Sequence, residues 1–348
     1  MKKIFISVLY TAVVLTAFGC AKAEKVGPND ANKRFLEAWM KVNHPGVEPS
    51  GLGIYVLEES EGTGDVVKED GFAIVDFTST DLEGNITSYT DKQTAKQLGK
   101  YDTTYYYGPA VWTTTEATIQ AGVADAIIGM KTGGSKKVII PSWLMTYKVY
   151  DDAEDYVNPP KKKGEESTTT GYDNTIYDIT VREFVEDIYA WEVGRIGEYF
   201  DSVPSLGLSV ADSLQYGFYY KQLAAPTDTT SFPSDTTIYI NYTGRLLNGL
   251  VFDTTIERTA KDNGLYSASK TYEPVSVTWG EEYSDIQMSG STIIGGFALT
   301  LWQMRAFEKG MGIFYSPLGY SYSGSGSSIP GYAPLIFEIE IVENPDSE

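Results

Sequence analysis

The sequence predicts an α+β protein of two related halves, each a set of alternating strands with one short helix. Three observations carry that prediction. Apolar and polar residues alternate in several stretches of each half. Each half holds one short apolar pattern of helical period. One spacing of 174 positions relates that helix and the segment after it in the two halves.

Strands are read from the alternation. Residues 237–242 place Ile238, Ile240 and Tyr242 on one face, and residues 335–342 place Leu335, Phe337, Ile339 and Ile341 opposite Glu338 and Glu340. Residues 73–77 and 177–181 read alike in the first half. For the helices, Phe297, Leu301 and Met304 fall at i, i+4 and i+7, as do Val123, Ile127 and Met130. A glycine precedes each set, Gly296 or Gly122, and Tyr315 and Pro141 lie at matched distances beyond. Between the halves, Phe184, Ile188, Trp191, Ile196 and Phe200 are at roughly helical spacing. They predict a helical linker over 188–213, interrupted at Gly194 and Gly197, that packs on one or both domains. Residues 29–42 read as a further short helix whose Phe35, Trp39 and Met40 pack on the first half or on a partner. The polar insertion 151–174 reads as a solvated loop. Its Asp151, Asp152, Glu154 and Asp155 lack the spacing and the glycine of a calcium-binding loop.

Composition narrows the chemistry. A formal net charge of -20, spread along the chain, argues against nucleic acid as a partner and against electrostatic docking on anionic lipid. The one histidine, His44, lies in a polar stretch and reads as a solvated loop residue, and no second histidine exists to build a metal site. Hydrolases that rest on a Ser–His or Cys–His pair are thereby disfavoured. The chemistry must need neither a strong base nor a nucleophile, and no metal or cofactor is expected. Cys20 is the one cysteine, so no internal disulfide forms.

Residues 1–19 have the order of a secretory signal: Lys2 and Lys3, an apolar run, then Ala17, Phe18 and Gly19 before Cys20. The run is too short for a stable membrane span. Its close resembles a bacterial lipoprotein signal, which implies lipid on Cys20, a tether over 20–50 and anchorage in the cell envelope, with the outer membrane the expected site.

Residues 214–345 carry five motifs in order. Asn241-Tyr242-Thr243-Gly244-Arg245-Leu246-Leu247-Asn248-Gly249-Leu250-Val251-Phe252-Asp253 resembles the FKBP signature Y-T-G-x-L-x-(D/N)-G-x-x-F-D with one extra residue. Ile293-Ile294-Gly295-Gly296-Phe297 resembles V-I-x-G-W, Leu318-Gly319-Tyr320 resembles L-A-Y, Ile329-Pro330 resembles I-P-P, and Leu335 to Glu340 resembles the closing strand. Residues 51–187 resemble the family less closely, best from Gly122 to Pro141.

The resemblance implies two FKBP-like domains, each a half-open antiparallel sheet wrapped around one short helix. It further implies a peptidyl-prolyl cis-trans isomerase, a folding catalyst for exported proteins, with proline-containing peptides or unfolded exported proteins as partners. The pocket would be Tyr242, Phe252, Val275, Val277, Ile293, Ile294, Phe297, Ile329 and Phe337, with Phe297 in the floor position where the family has Trp. Asp253 would sit at the pocket edge near the substrate amide, held by Tyr242. The Tyr320 hydroxyl and the Ile294 backbone N–H would donate to peptide carbonyls. Such a site suits the reaction, because an X-Pro bond turns over a barrier of about 18–20 kcal/mol with no bond broken. A dry apolar pocket favours the twisted amide over the planar, polar one.

In the first half, Phe77 stands for the pocket tyrosine, Thr87-Ser88 for Phe-Asp, Val123 for the floor ring and Thr146 beside Tyr147 for the hydroxyl donor; Tyr177 keeps an aromatic on the closing strand. These changes imply a catalytically silent first domain. Two further features are expected of the second: the insertion 281–292 covers the pocket or narrows substrate choice, and the Ser/Gly/Tyr flap 321–328 is mobile. The alternative is a non-catalytic envelope lipoprotein that uses these folds as a protein- or ligand-binding scaffold. Phe297 and the run Tyr105-Tyr106-Tyr107 favour it. A glycan-binding surface lipoprotein is a third reading.

Overall fold

The computed structural model describes residues 27–160 and 171–345. Residues 1–19, read as a signal from the sequence, and Cys20 lie outside the described residues. Two antiparallel sheets are built to one plan. The first holds β1 (Tyr55–Ser60), β2 (Phe72–Thr80), β3 (Ile86–Tyr89), β4 (Ala110–Thr113), β5 (Ser135–Ile140) and β6 (Thr175–Val185), in the order β1-β5-β6-β2-β3 with β4 also on β2. The second holds β7 (Phe218–Ala224), β8 (Thr237–Leu246), β9 (Val251–Thr254), β10 (Val275–Thr278), β11 (Gln287–Met288), β12 (Ser291–Thr292), β13 (Lys309–Phe314) and β14 (Leu335–Val342). Its path β7-β13-β14-β8-β10 matches the first, with β9 on β8 and the hairpin β11-β12 added at the β10 edge. The architecture is therefore α+β in two like domains.

The spacing of 174 holds through three consecutive elements. Helix Ala121–Ile127 answers to helix Gly295–Gln303, β5 to β13, and the short 3-10 turn Ser142–Leu144 to Ser316–Leu318. The reason is a close approach. A Cβ placed on Gly122 would lie 2.3 Å from Ile140 Cγ2, and one on Gly296 would lie 2.3 Å from the Phe314 ring. Each helix rests on the strand that follows it at a distance no side chain permits. Met130 and Met304 are buried as the spacing predicts, but both lie just past the ends of their helices.

The N-terminal helix Asp30–Asn43 docks on the first domain through Leu36 and Met40, both buried in that domain's core, while Phe35 stays 56% exposed. The insertion after β5 is not wholly solvated. Its helix Ala153–Val157 buries Tyr156 and Val157, and Asn29 donates to their carbonyls at 3.4 and 3.2 Å. An apolar pair at 156–157 explains the difference, since burying it outweighs leaving the segment in water.

Linker helix Ile188–Ser202 runs unbroken through Gly194 and Gly197. Its start is fixed by Asp187, whose carboxylate accepts from the Tyr189 and Ala190 backbone N–H groups at 3.0 Å. Packing outweighs the helix cost of two glycines, about 1 kcal/mol each. Ile196 and Phe200 join Tyr219, Met311, Ile313 and Ile336 in a separate apolar cluster on the back of the second sheet. That sheet is thus covered on both faces, by Gly295–Gln303 in front and the linker helix behind.

One polar contact clasps the linker helix to the second domain. Glu192, fully enclosed, accepts from the Ser316 backbone N–H at 2.5 Å and from its hydroxyl at 2.6 Å. Burial raises the carboxyl from 4.5 to about 7 against the lowering effect of the two Ser316 bonds. Between those values the folded chain holds a proton that the unfolded chain has released, so stability falls as pH rises through the window. We expect wild type to lose denaturant stability from about pH 5 to about pH 8, and Glu192→Gln to flatten that slope. An unchanged slope in the variant would remove Glu192 as its source.

Candidate active site

Four rings meet on the front of the second sheet. Tyr242 comes from β8, Phe252 from β9, Phe337 from β14, and Phe297 from the front helix. Ring centroids lie 5.4 Å apart for Tyr242–Phe297, 5.0 Å for Phe297–Phe337 and 5.5 Å for Phe252–Phe337, all near perpendicular. Edge-to-face pairs of this kind are attractive beyond the area they bury. Gly244 makes room for them. It pairs with Phe337 on one side and Asp253 on the other, and a Cβ there would lie 2.5 Å from Phe252 and 2.7 Å from Phe337.

The sequence-predicted residues gather around these rings. Asp253 sits at the edge with its side chain 42% exposed. One carboxylate oxygen accepts from the Tyr242 hydroxyl at 2.6 Å; the other accepts from the Lys270 ammonium at 2.7 Å and the Thr254 backbone N–H at 2.9 Å. Burial first, then the Asp253 charge, pushes the Tyr242 phenol far above its ordinary range, so it stays a donor. Tyr320, half-buried against the same cluster, is raised by the same two causes in the same order. Val275, Ile293 and Ile294 are half-buried on the cluster, and Ile294 immediately precedes the front helix. Ile329 and Phe297 are almost completely buried. Val277 is wholly enclosed, and so backs the wall where direct contact is expected of it. A cavity of about 80 Å³ opens beside Asp253, lined among others by Leu265, Lys270 and Tyr272.

Lys270 is the residue that sequence reasoning misses. It stands 17 positions from Asp253 in a polar loop, and no period or motif marks it. Two loops of the second domain also carry regular backbone pairing. The flap 321–328 is held by its own ladder: Ser325 and Ile329 exchange backbone bonds at 2.8 and 3.1 Å, and the Tyr332 N–H donates to the Ser321 carbonyl at 2.9 Å. Insertion 281–292 extends the sheet as β11-β12 and packs Ile286 and Met288 into the core.

The first domain shows the same frame with different contents. Register places Tyr177 opposite Ser79 as Phe337 lies opposite Gly244, and Ser88 opposite Ser79 as Asp253 lies opposite Gly244. Val123, at the floor position, is buried but small. The missing ring comes from a strand: Trp112 of β4 lies 5.0 Å from Phe77 and 6.3 Å from Tyr177. Register puts it where the second domain has Val277. Thr146 is half-buried and Tyr147 is 53% exposed.

Residues 229–342 match the family model of the FKBP-type peptidyl-prolyl cis-trans isomerases. Residues 229–342 thus carry the match to an FKBP-type domain. A probable FKBP-type peptidyl-prolyl cis-trans isomerase of Haemophilus influenzae is 30% identical over 135 residues, 38% of this chain and 46% of that protein. FK506-binding protein 2 of Dictyostelium discoideum is 29% identical over 138 residues, 40% of this chain and 85% of that protein. The three FKBP domains of wheat FKBP73 superpose with a TM-score of 0.29 at 13% identity, covering 83% of this chain and 94% of that one.

Because the rings leave no space at Gly244, Gly244→Ala should destabilise the second domain by about 1–3 kcal/mol through overpacking. The check is its denaturant midpoint. A midpoint equal to wild type would mean the rings are not held as described.

Proposed function

We propose that the chain is a peptidyl-prolyl cis-trans isomerase that acts through its second domain on proline-containing segments of exported proteins. The observation that carries this reading is a half-exposed carboxylate, Asp253, fixed by the Tyr242 hydroxyl at 2.6 Å on the rim of an aromatic cluster. The match of residues 229–342 to the isomerase family supports it.

In this reading the substrate proline lies on Phe297 and Phe337, flanked by Phe252, Val275, Ile293, Ile294 and Ile329, with Val277 behind. The rings remove water from the X-Pro amide. They thereby favour the twisted form, which has lost its resonance and much of its polarity. Asp253 faces the amide carbon and places negative charge beside it as the carbonyl swings out of plane. Tyr242 keeps that carboxylate in one orientation. Tyr320, whose phenol stays protonated, donates to a peptide carbonyl, and the Ile294 N–H donates to another. Each ~1.4 kcal/mol of preference for the twisted state gives about tenfold in rate.

For the first domain we propose a structural or client-holding role without turnover. Trp112 occupies ring space there, Phe77 has no hydroxyl to hold an acid, and Ser88 stands where the acid would be. We also propose that Cys20 carries lipid and anchors the chain in the envelope, on the strength of the signal that ends at it.

Two experiments test these proposals. In a protease-free prolyl isomerisation assay on the whole chain, Asp253→Ala should remove at least about nine-tenths of kcat/KM, the ~1.4 kcal/mol of one lost transition-state contact, with the fold unchanged by circular dichroism. Phe337→Ala should lower activity and stability together. Residual turnover near the wild-type level in Asp253→Ala would place catalysis elsewhere, the first domain included. For the anchor, metabolic labelling with a fatty-acid probe should mark wild type and leave Cys20→Ala unlabelled; an unlabelled wild type would refute lipidation.

A further inference from the structure

We propose that the first domain closes the second domain's cleft with the loop 100–109, so that a substrate proline enters only when Tyr106 is displaced. The inference rests on the isomerase reading of that cleft.

The loop touches both walls. On the flap side the Tyr106 backbone N–H donates to the Ser327 carbonyl at 2.8 Å, and its ring packs against the apolar cluster that holds Ile329 and Phe337. On the opposite side Thr103 lies against Gly264, where a Cβ would be 2.5 Å from Thr103 Oγ1 and 3.8 Å from its Cβ. Gly264 adjoins Leu265, which lines the cavity beside Asp253. A segment fixed at Ser327 and at Gly264 therefore spans the mouth between the flap that follows Tyr320 and the segment beyond Asp253. Phe72 against Tyr332, with centroids 5.4 Å apart, extends the contact between the domains.

The loop is built to keep this shape. The Asp102 carboxylate accepts from the Thr104 N–H and hydroxyl at 2.8 and 2.7 Å. The Tyr107 hydroxyl accepts from the Asp102 N–H at 3.0 Å, and the Tyr106 hydroxyl donates to the Pro109 carbonyl at 3.3 Å. A preformed loop loses little entropy on docking, so a few contacts suffice to hold it closed. Closure then lowers apparent affinity by the open fraction and leaves the chemical step unchanged.

Two variants of the whole chain test this. Tyr106→Ala should lower KM about tenfold, equivalent to about 1.4 kcal/mol of lost closure, with kcat unchanged. Thr103→Cys with Gly264→Cys, in a Cys20→Ser chain, places two Cβ atoms at the 3.8 Å typical of a disulfide. The oxidised chain should lose isomerase activity and recover it on reduction, with thiol titration reporting the cross-link. Gly264 has φ +75, where a side chain is strained, so Tyr106→Ala serves as the variant free of that strain. An oxidised, cross-linked chain as active as its reduced form, or a Tyr106→Ala chain with wild-type KM, would overturn the closure while leaving the isomerase reading intact. Absence of Asp253-dependent turnover in every form would overturn both.

Discussion

The constraint on which everything else depends is the contact of a short helix with the strand that follows it. At Gly122 and at Gly296 the approach leaves no room for a methyl group. The helix start, the strand and the 3-10 turn after it are therefore locked in register with one another, and they keep a common spacing in both domains. The rest of each sheet drifts in length around that unit. In the second domain the lock also sets the height of Phe297 above the sheet, and so the depth of the cleft.

The two domains solve one packing problem in two ways. A ring must fill the space between the closing strand and the helix, or a cavity would cost ~1 kcal/mol or more for each methyl-sized void. In the second domain the helix supplies it, as Phe297. In the first, Val123 is too small, and Trp112 of β4 fills the volume from the sheet side. The ring volume is kept while its source moves from the helix to the sheet.

Fold class and much of the site are legible in the sequence because they rest on short-range pattern. Period two marks β8 and β14, and motif order brings Tyr242, Phe252, Asp253, Phe297 and Phe337 to one place. Other features rest on contacts between distant residues that no local pattern reports. Lys270 reaches Asp253 from a polar loop, and Glu192 reaches Ser316 across 124 positions. The flap, read as mobile from its Ser and Gly content, is tied by backbone bonds, which composition does not encode. Gly194 and Gly197 suggest a broken helix, yet Ile196 and Phe200 pay for continuity by packing on the second sheet. Within the run of tyrosines at 105–107, Tyr105 is exposed while Tyr106 is docked on the second domain, a difference no local pattern marks.

The linker helix belongs by packing to the second domain. Strand β6 ends at Val185 and the clasped helix begins at Ile188, so the pair Glu186–Asp187 joins the two. Beyond that point the chain is fastened to the second domain through Glu192 at Ser316, at the root of the flap. Before that point the first domain reaches the flap through Tyr106 at Ser327. The two ends of one segment of the second domain, Ser316 and Ser327, are thus each fastened to a part of the chain that precedes it.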